Sequence, residues 1–167
     1  GWVGQGSLNQ GIFDRKLQAV KKMIQLQNHR GPDANGVFED RKCNAILGHN
    51  RLSILELSDA GAQPMFDQSK NWVISYNGEL YNYQKIKQEL IERFSVKFRG
   101  NSDTEAVLYG VILFGIDEFL RKADGMFAFA IYNRSRREVF LARDRVGEKP
   151  LYFFKSKEGL TFASELK

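Results

Sequence analysis

Across 167 residues there is one cysteine, Cys43, and there are only two histidines, His29 and His49. A single thiol cannot close an internal disulfide, and two imidazoles beside it do not make a zinc constellation. No metal is expected. Long apolar runs are missing too: residues 111–114 and 126–132 fall far short of the roughly 18 needed for a membrane-spanning helix. Residues 1–10 carry no secretory pattern. The expectation is a reducing, cytoplasmic setting with no membrane or export step. Nor does charge of one sign dominate. The 25 Lys+Arg and 20 Asp+Glu leave +5, with an isoelectric point near 9.3. That excess would permit contact with phosphates, but Lys85, Lys87, Glu89, Glu92 and Arg93 interleave the two signs as on a solvated helix face. The one dense basic run, residues 134–137, falls where a hairpin turn is expected. No nucleic-acid partner is expected.

What is present is the composition of a folded domain. With 43% hydrophobic and 27% charged residues, the chain is neither a disordered tail nor a collagen-like fibre nor a coiled coil. It is long enough to bury roughly two-thirds of its unfolded surface in one domain. In residues 12–27, Phe13, Leu17, Val20 and Ile24 form one apolar stripe at helical spacing, which predicts an amphipathic helix. Arg30-Gly31-Pro32-Asp33 stops it. Residues 36–39 and 44–49 read as short strands, and residues 71–76 alternate as a third. Asn77-Gly78 then reads as a turn leading into a further strand over residues 79–82. Helical spacing returns over residues 83–94 with Asn82 as N-cap, and Ser102-Asp103-Thr104-Glu105 matches a capping box opening a second helix that Gly115 ends. A short helix over residues 117–122 precedes strands at residues 126–132, 138–142, 151–154 and 160–163. Strands, central helices and more strands with short links predict an α+β fold of two antiparallel sheets with helices packed on them. No repeat or internal linker argues for a second domain within residues 1–167.

Several short segments, in order, carry a family resemblance. They are Arg30-Gly31-Pro32-Asp33, Gly48-His49-Asn50-Arg51-Leu52-Ser53-Ile54, Gln63-Pro64, Asn77-Gly78-Glu79-Leu80-Tyr81-Asn82, Ser102-Asp103-Thr104-Glu105, Gly125-Met126-Phe127-Ala128-Phe129-Ala130, and Arg143-Asp144-Arg145 with Gly147, Lys149-Pro150, Leu151 and Tyr152. Any one alone is weak; together they resemble the class II glutamine amidotransferase domain of asparagine synthetases. The resemblance implies a four-layer α/β/β/α sandwich of antiparallel sheets, the N-terminal-nucleophile hydrolase fold. It also implies hydrolysis of the glutamine side-chain amide: a thiolate attacks the carbonyl, a tetrahedral oxyanion forms, ammonia leaves, and water releases glutamate. In such enzymes the ammonia passes to a second domain that uses ATP and Mg to activate an acceptor carboxylate, usually that of aspartate. That C-terminal synthetase domain and L-glutamine are the implied partners. No cofactor is implied in the amidotransferase domain itself, and pairing into a homodimer is left open.

The same resemblance assigns roles residue by residue, each beside a plainer reading. Asn77 and Gly78 match the oxyanion-hole donors, through the Asn side-chain amide and the Gly backbone N–H; Asn-Gly is also the commonest hairpin turn. Arg51 matches the residue that grips the substrate α-carboxylate; its plainer reading is a surface ion pair. Leu52, Ser53 and Ile54 follow it along the implied pocket. Asp103 matches the residue that holds the α-ammonium, with Glu79 as a helper, and a first-turn acid also complements a helix dipole. Arg30 to Asp33 reads first as a turn, His49 as a satisfied strand histidine, and Arg143-Asp144 with Lys149-Pro150 as a structural marker. The family begins with Cys-Gly-Ile-x-Gly-aromatic, whose Cys supplies both thiol and α-amine. Gly1-Trp2 fits the end of that pattern, so the nucleophile is expected four places upstream of Gly1. Cys43 is no substitute and reads as a structural or incidental thiol. The chain as written is expected to hold the pocket without the catalyst. The alternatives are a degenerate domain that binds without hydrolysing, like the vestigial half of the β-lactam synthetases, or an amidotransferase serving another acceptor such as a cell-surface sugar precursor.

Overall fold

Alternation decides where each strand face goes. In the computed structural model, which describes residues 1–4, 10–52 and 61–166, strands β5 (Trp72–Leu80) and β6 (Gly125–Asn133) pair antiparallel along their whole length. Ile74, Tyr76 and Leu80 of β5 share one face with Phe127, Phe129 and Ile131 of β6. That face is covered by α2 (Tyr83–Phe94), α3 (Asp103–Phe114) and α4 (Ile116–Lys122), which bring in Ile86, Leu90, Leu108 and Phe119. On the opposite face Val73, Ala130 and Tyr132 meet Val3, Phe38, Ala45, Leu47 and Phe162. These belong to β1 (Trp2–Gly4), β2 (Ala34–Asp40), β3 (Ala45–Arg51) and β9 (Gly159–Ala163). The odd-even switch recurs in that second group: Trp2 and Ile46 point away from Val3 and Leu47, toward Phe13, Leu17 and Val20 of α1 (Gln10–Leu26).

The chain is therefore mixed α/β, with two antiparallel sheets and four α-helices among the described residues. One sheet has the order β2-β3-β1-β9-β8, with β8 at Tyr152–Ser156; the other has β4-β5-β6-β7, with β4 at Met65–Phe66 and β7 at Glu138–Arg143. The expected helices all form, within one or two residues of the predicted ends. The two-residue β4 and three-residue β1 were not foreseen, because runs that short carry no periodic signal.

Three local expectations are corrected. Asn77-Gly78 is not a turn: both residues lie inside β5, opposite Ala128 and Phe127. Gly78 is required there for another reason, since its φ is +153° and a Cβ would run into the carbonyl oxygen of Met126. Asn82 stands at the start of α2 but makes no capping bond. Its side chain instead donates to the Lys122 carbonyl at 2.9 Å and accepts from the Asp124 N–H at 3.1 Å, tying α2 to the link between α4 and β6. Ser102 does cap α3, accepting from the Thr104 N–H at 3.2 Å. Glu105 does not close the box: its carboxylate turns to the N–H groups of Arg99 and Gly100.

Candidate functional site

Three chain segments that are distant in sequence meet at one end of the sheets. Pairing of β2 with β3 carries Arg51 to the end of β3, where its carbonyl also accepts from the Asp33 N–H at 3.2 Å. Pairing of β5 with β6 places Asn77, Gly78 and Glu79 near the end of β5. The cap at Ser102 sets Asp103 at the first position of α3. Arg51, Leu52, Asn77, Gly78, Glu79 and Asp103 all line one cavity of about 450 Å³. Ser53 and Ile54, also expected at the pocket, lie outside the described residues.

The cavity is charged at both signs. Arg30, Arg51 and Lys149 contribute cations, and Glu79 and Asp103 contribute carboxylates. Asp103 is 5% exposed, and its Oδ2 accepts from the Tyr76 hydroxyl and the Leu80 N–H, both at 2.9 Å. Burial pushes the carboxyl above its ordinary value; the amides of Leu80 and Thr104 and the Tyr76 hydroxyl pull it back, and the charge of Glu79 adds to the rise. The Tyr76 hydroxyl is raised well beyond the normal phenol range by its own burial and then by Asp103, so it stays a donor. Asn77 offers the opposite situation: its Nδ2 is buried and has no hydrogen-bond partner. An orphaned buried donor is uncommon and costs roughly 1–3 kcal/mol, so a site that keeps one invites an acceptor from outside.

Residues that the sequence reading gave no role in the pocket complete the walls. Gln63 accepts from the Tyr76 N–H at 2.6 Å and donates to the Tyr76 carbonyl at 3.1 Å, so its side chain pairs with β5 as a strand would. Its place in the matched Gln63-Pro64 segment was the available signal. His49 and Asn50 line both this cavity and a second one of about 110 Å³, which Asn77 and Gly1 also border. Burial, and then the charge of Arg51, push His49 down to about 4, so it is neutral near pH 7. Its Nδ1 lies 3.3 Å from the Ser75 hydroxyl. Arg30 is more than part of a turn, since it lines both cavities and its guanidinium meets Glu165 at 3.1 Å. The bend at Gly31 packs directly on the Asn50 and Arg51 backbone, where a Cβ would not fit.

Lys149 is delivered by Asp144. That buried carboxylate accepts from the N–H groups of Phe127, Val146, Glu148 and Lys149. Burial would raise it, but these backbone donors prevail and hold it down to about 2. Cys43 is remote from the site. It sits in the turn before β3, at the end opposite Arg51, which at ~3.3 Å per residue puts about 20 Å of strand between them.

Comparison with known proteins decides what this arrangement belongs to. The family described as "Glutamine amidotransferase domain" matches residues 6–167. The chain belongs to that family. Asparagine synthetase B [glutamine-hydrolyzing] of Escherichia coli strain K12 is 40% identical over 164 residues, covering 94% of this chain and 28% of that protein. Asparagine synthetase [glutamine-hydrolyzing] 1 of Bacillus subtilis strain 168 is 38% identical over 150 residues, covering 90% and 23%. Amidase chry2 of Gibberella zeae is 38% identical over 157 residues, covering 94% and 23%. The amidotransferase domain thus spans about a quarter of the length of these relatives. None of its described helices is long and apolar enough to cross a membrane.

Proposed function

We propose that this amidotransferase domain is the glutaminase half of a glutamine-hydrolysing asparagine synthetase or a close relative, acting in a cytoplasmic setting. The observation that carries the reading is the shared cavity of Arg51, Asn77 and Asp103, which brings a guanidinium, an orphaned amide donor and a buried carboxylate to one set of walls. A free amino acid presents an α-carboxylate and an α-ammonium, and each needs a fixed counter-charge. Arg51 takes the carboxylate, where a guanidinium binds both oxygens at once. Asp103 takes the ammonium, with Glu79 adding negative potential. The side-chain amide then lies toward Asn77 and Gly78, whose N–H groups meet the oxyanion that forms when its carbonyl is attacked. Leu52 continues the wall beyond Arg51.

The nucleophile in this reading is a cysteine four places before Gly1. Gly1 borders the small cavity that Asn77 also borders, so a chain continuing backward from β1 heads toward the proposed oxyanion hole. The two sheets and flanking helices are read as the four-layer α/β/β/α sandwich of N-terminal-nucleophile hydrolases. The relatives' greater length leaves room for a further domain, read here as a synthetase that uses ATP and Mg to amidate aspartate. The test is glutamate release by the chain extended with a free N-terminal Cys-Gly-Ile-x before Gly1. Turnover that disappears on Asn77→Ala is expected, and no release at all would overturn the hydrolytic assignment. A second reading is a glutamine-binding domain without hydrolysis. It predicts glutamine binding with no glutamate release from the extended chain.

A further inference from the structure

The sequence places Tyr76 at an apolar position of an alternating strand, and it is indeed core, at 3% exposure. Its ring packs among Ile74, Leu80, Leu108 and their neighbours, yet its hydroxyl ends on Asp103 Oδ2 at 2.9 Å. The Leu80 N–H reaches the same oxygen, so Oδ1 keeps lone pairs for a ligand. The ring is buried in the core, and the N–H and C=O of Tyr76 are both pinned by the side-chain amide of Gln63. The Gln63 Nε2 also reaches the Thr104 hydroxyl at 3.4 Å, joining the same clamp to the first turn of α3. Asn77, the next residue, faces the other side of β5 with its orphaned amide. One strand therefore sets the carboxylate from one face and the amide donor from the other.

We infer that Tyr76 is a positioning residue for Asp103: its buried hydroxyl turns the carboxylate so that one oxygen is held by the protein and the other meets the ammonium of the bound amino acid. This rests on the proposed glutamine reading and adds to it the group that sets recognition of the α-ammonium. The groups facing Asp103 agree with that division of labour. Glu79 on β5 and burial both oppose its ionisation, and the Tyr76 hydroxyl with the amides of Leu80 and Thr104 restores it. Arg30, Arg51 and Lys149 are the cations bordering the same cavity, with His29 and His49 the titratable imidazoles there.

The test compares two ligands by calorimetry: L-glutamine, and 4-carbamoylbutyrate, which keeps the carboxylate and amide but lacks the ammonium. In Tyr76→Phe, L-glutamine binding should weaken about tenfold, and 4-carbamoylbutyrate binding should not change. The pH below which L-glutamine binding is lost should also move up, because Asp103 has lost a donor to its charged form. Equal weakening of both ligands, or no weakening of either, overturns the inference while leaving the glutamine reading intact if wild type binds L-glutamine. Failure of wild type to bind L-glutamine overturns both. Should Tyr76→Phe not fold, 3,5-difluorotyrosine at position 76 keeps the shape and makes a stronger donor. The acid limit of binding must then move down, and an unmoved or raised limit overturns the inference.

Discussion

Replacing Asp144 with Ala tests whether a single carboxylate organises the loop that carries Lys149 to the cavity. Four backbone N–H groups lose their acceptor: Phe127 and Val146 at 3.2 Å, Glu148 at 2.9 Å and Lys149 at 3.0 Å. The loop amides can turn to water, but Phe127 lies in β6, where its N–H is buried. One orphaned buried donor costs about 1–3 kcal/mol, and losing the charged acceptor for the loop adds a comparable amount, giving a middle value of about 4 kcal/mol in all. For a domain of this size that is a fall in Tm of about 10 °C, read by calorimetry or circular dichroism. The pH dependence follows from the shift. The folded value near 2 lies below the ordinary 3.8, so the folded state binds the proton less readily. The stabilisation is complete above about pH 4 and drains away as pH falls toward 2. In denaturant titrations the gap between wild type and Asp144→Ala should hold from pH 7 to 5 and narrow only below about 4. A Tm within 1–2 °C of wild type, or a gap that narrows already near pH 6, would refute the reasoning.

Three further outcomes are expected. Gly78→Ala puts a Cβ on a backbone at φ +153° and into the Met126 carbonyl, so it should cost about 2 kcal/mol or more of stability; a wild-type Tm would contradict the strand geometry. His49, held near 4, should stay neutral by NMR until well below pH 6. Because its folded value lies below the ordinary 6.5, wild type should lose stability relative to His49→Gln as pH falls from about 6.5 to 4, and a flat difference would show that the imidazole is not buried as described. Gln63→Ala removes both hydrogen bonds to the Tyr76 backbone and should lower stability by about 1–2 kcal/mol in equilibrium unfolding, whereas an unchanged midpoint would mean that β5 needs no such clamp.

The helices and most strands were legible because their signals are local. The stripe from Phe13 to Val20 is a face of α1, and the alternation beginning at Trp72 is the start of β5. Asn77-Gly78 misled for the same reason. Two residues with a strong turn preference cannot reveal that nine residues of β6 will pair alongside, nor that the glycine is needed against Met126 rather than at a corner. Asn82 was read as a cap from its neighbours in sequence, while its partners, Lys122 and Asp124, lie some forty residues away. The cavity-lining residues Arg51, Asn77, Gly78, Glu79 and Asp103 were named from a resemblance, not from periodicity. Tyr76 was hidden because an aromatic in an alternating strand is indistinguishable from plain core until its hydroxyl is located. The role of Asp144 as the acceptor for a whole loop could not be seen in sequence either, since the N–H groups it gathers have no side-chain identity.

The central claim is that the cavity bordered by Arg51, Asn77 and Asp103 holds L-glutamine by its backbone charges. Calorimetric titration of L-glutamine into the folded chain and into Arg51→Ala tests it most directly, with circular dichroism confirming that both are folded. The account predicts saturable binding to the wild type that Arg51→Ala abolishes. Binding of equal strength to both proteins, or no heat with either, would contradict it.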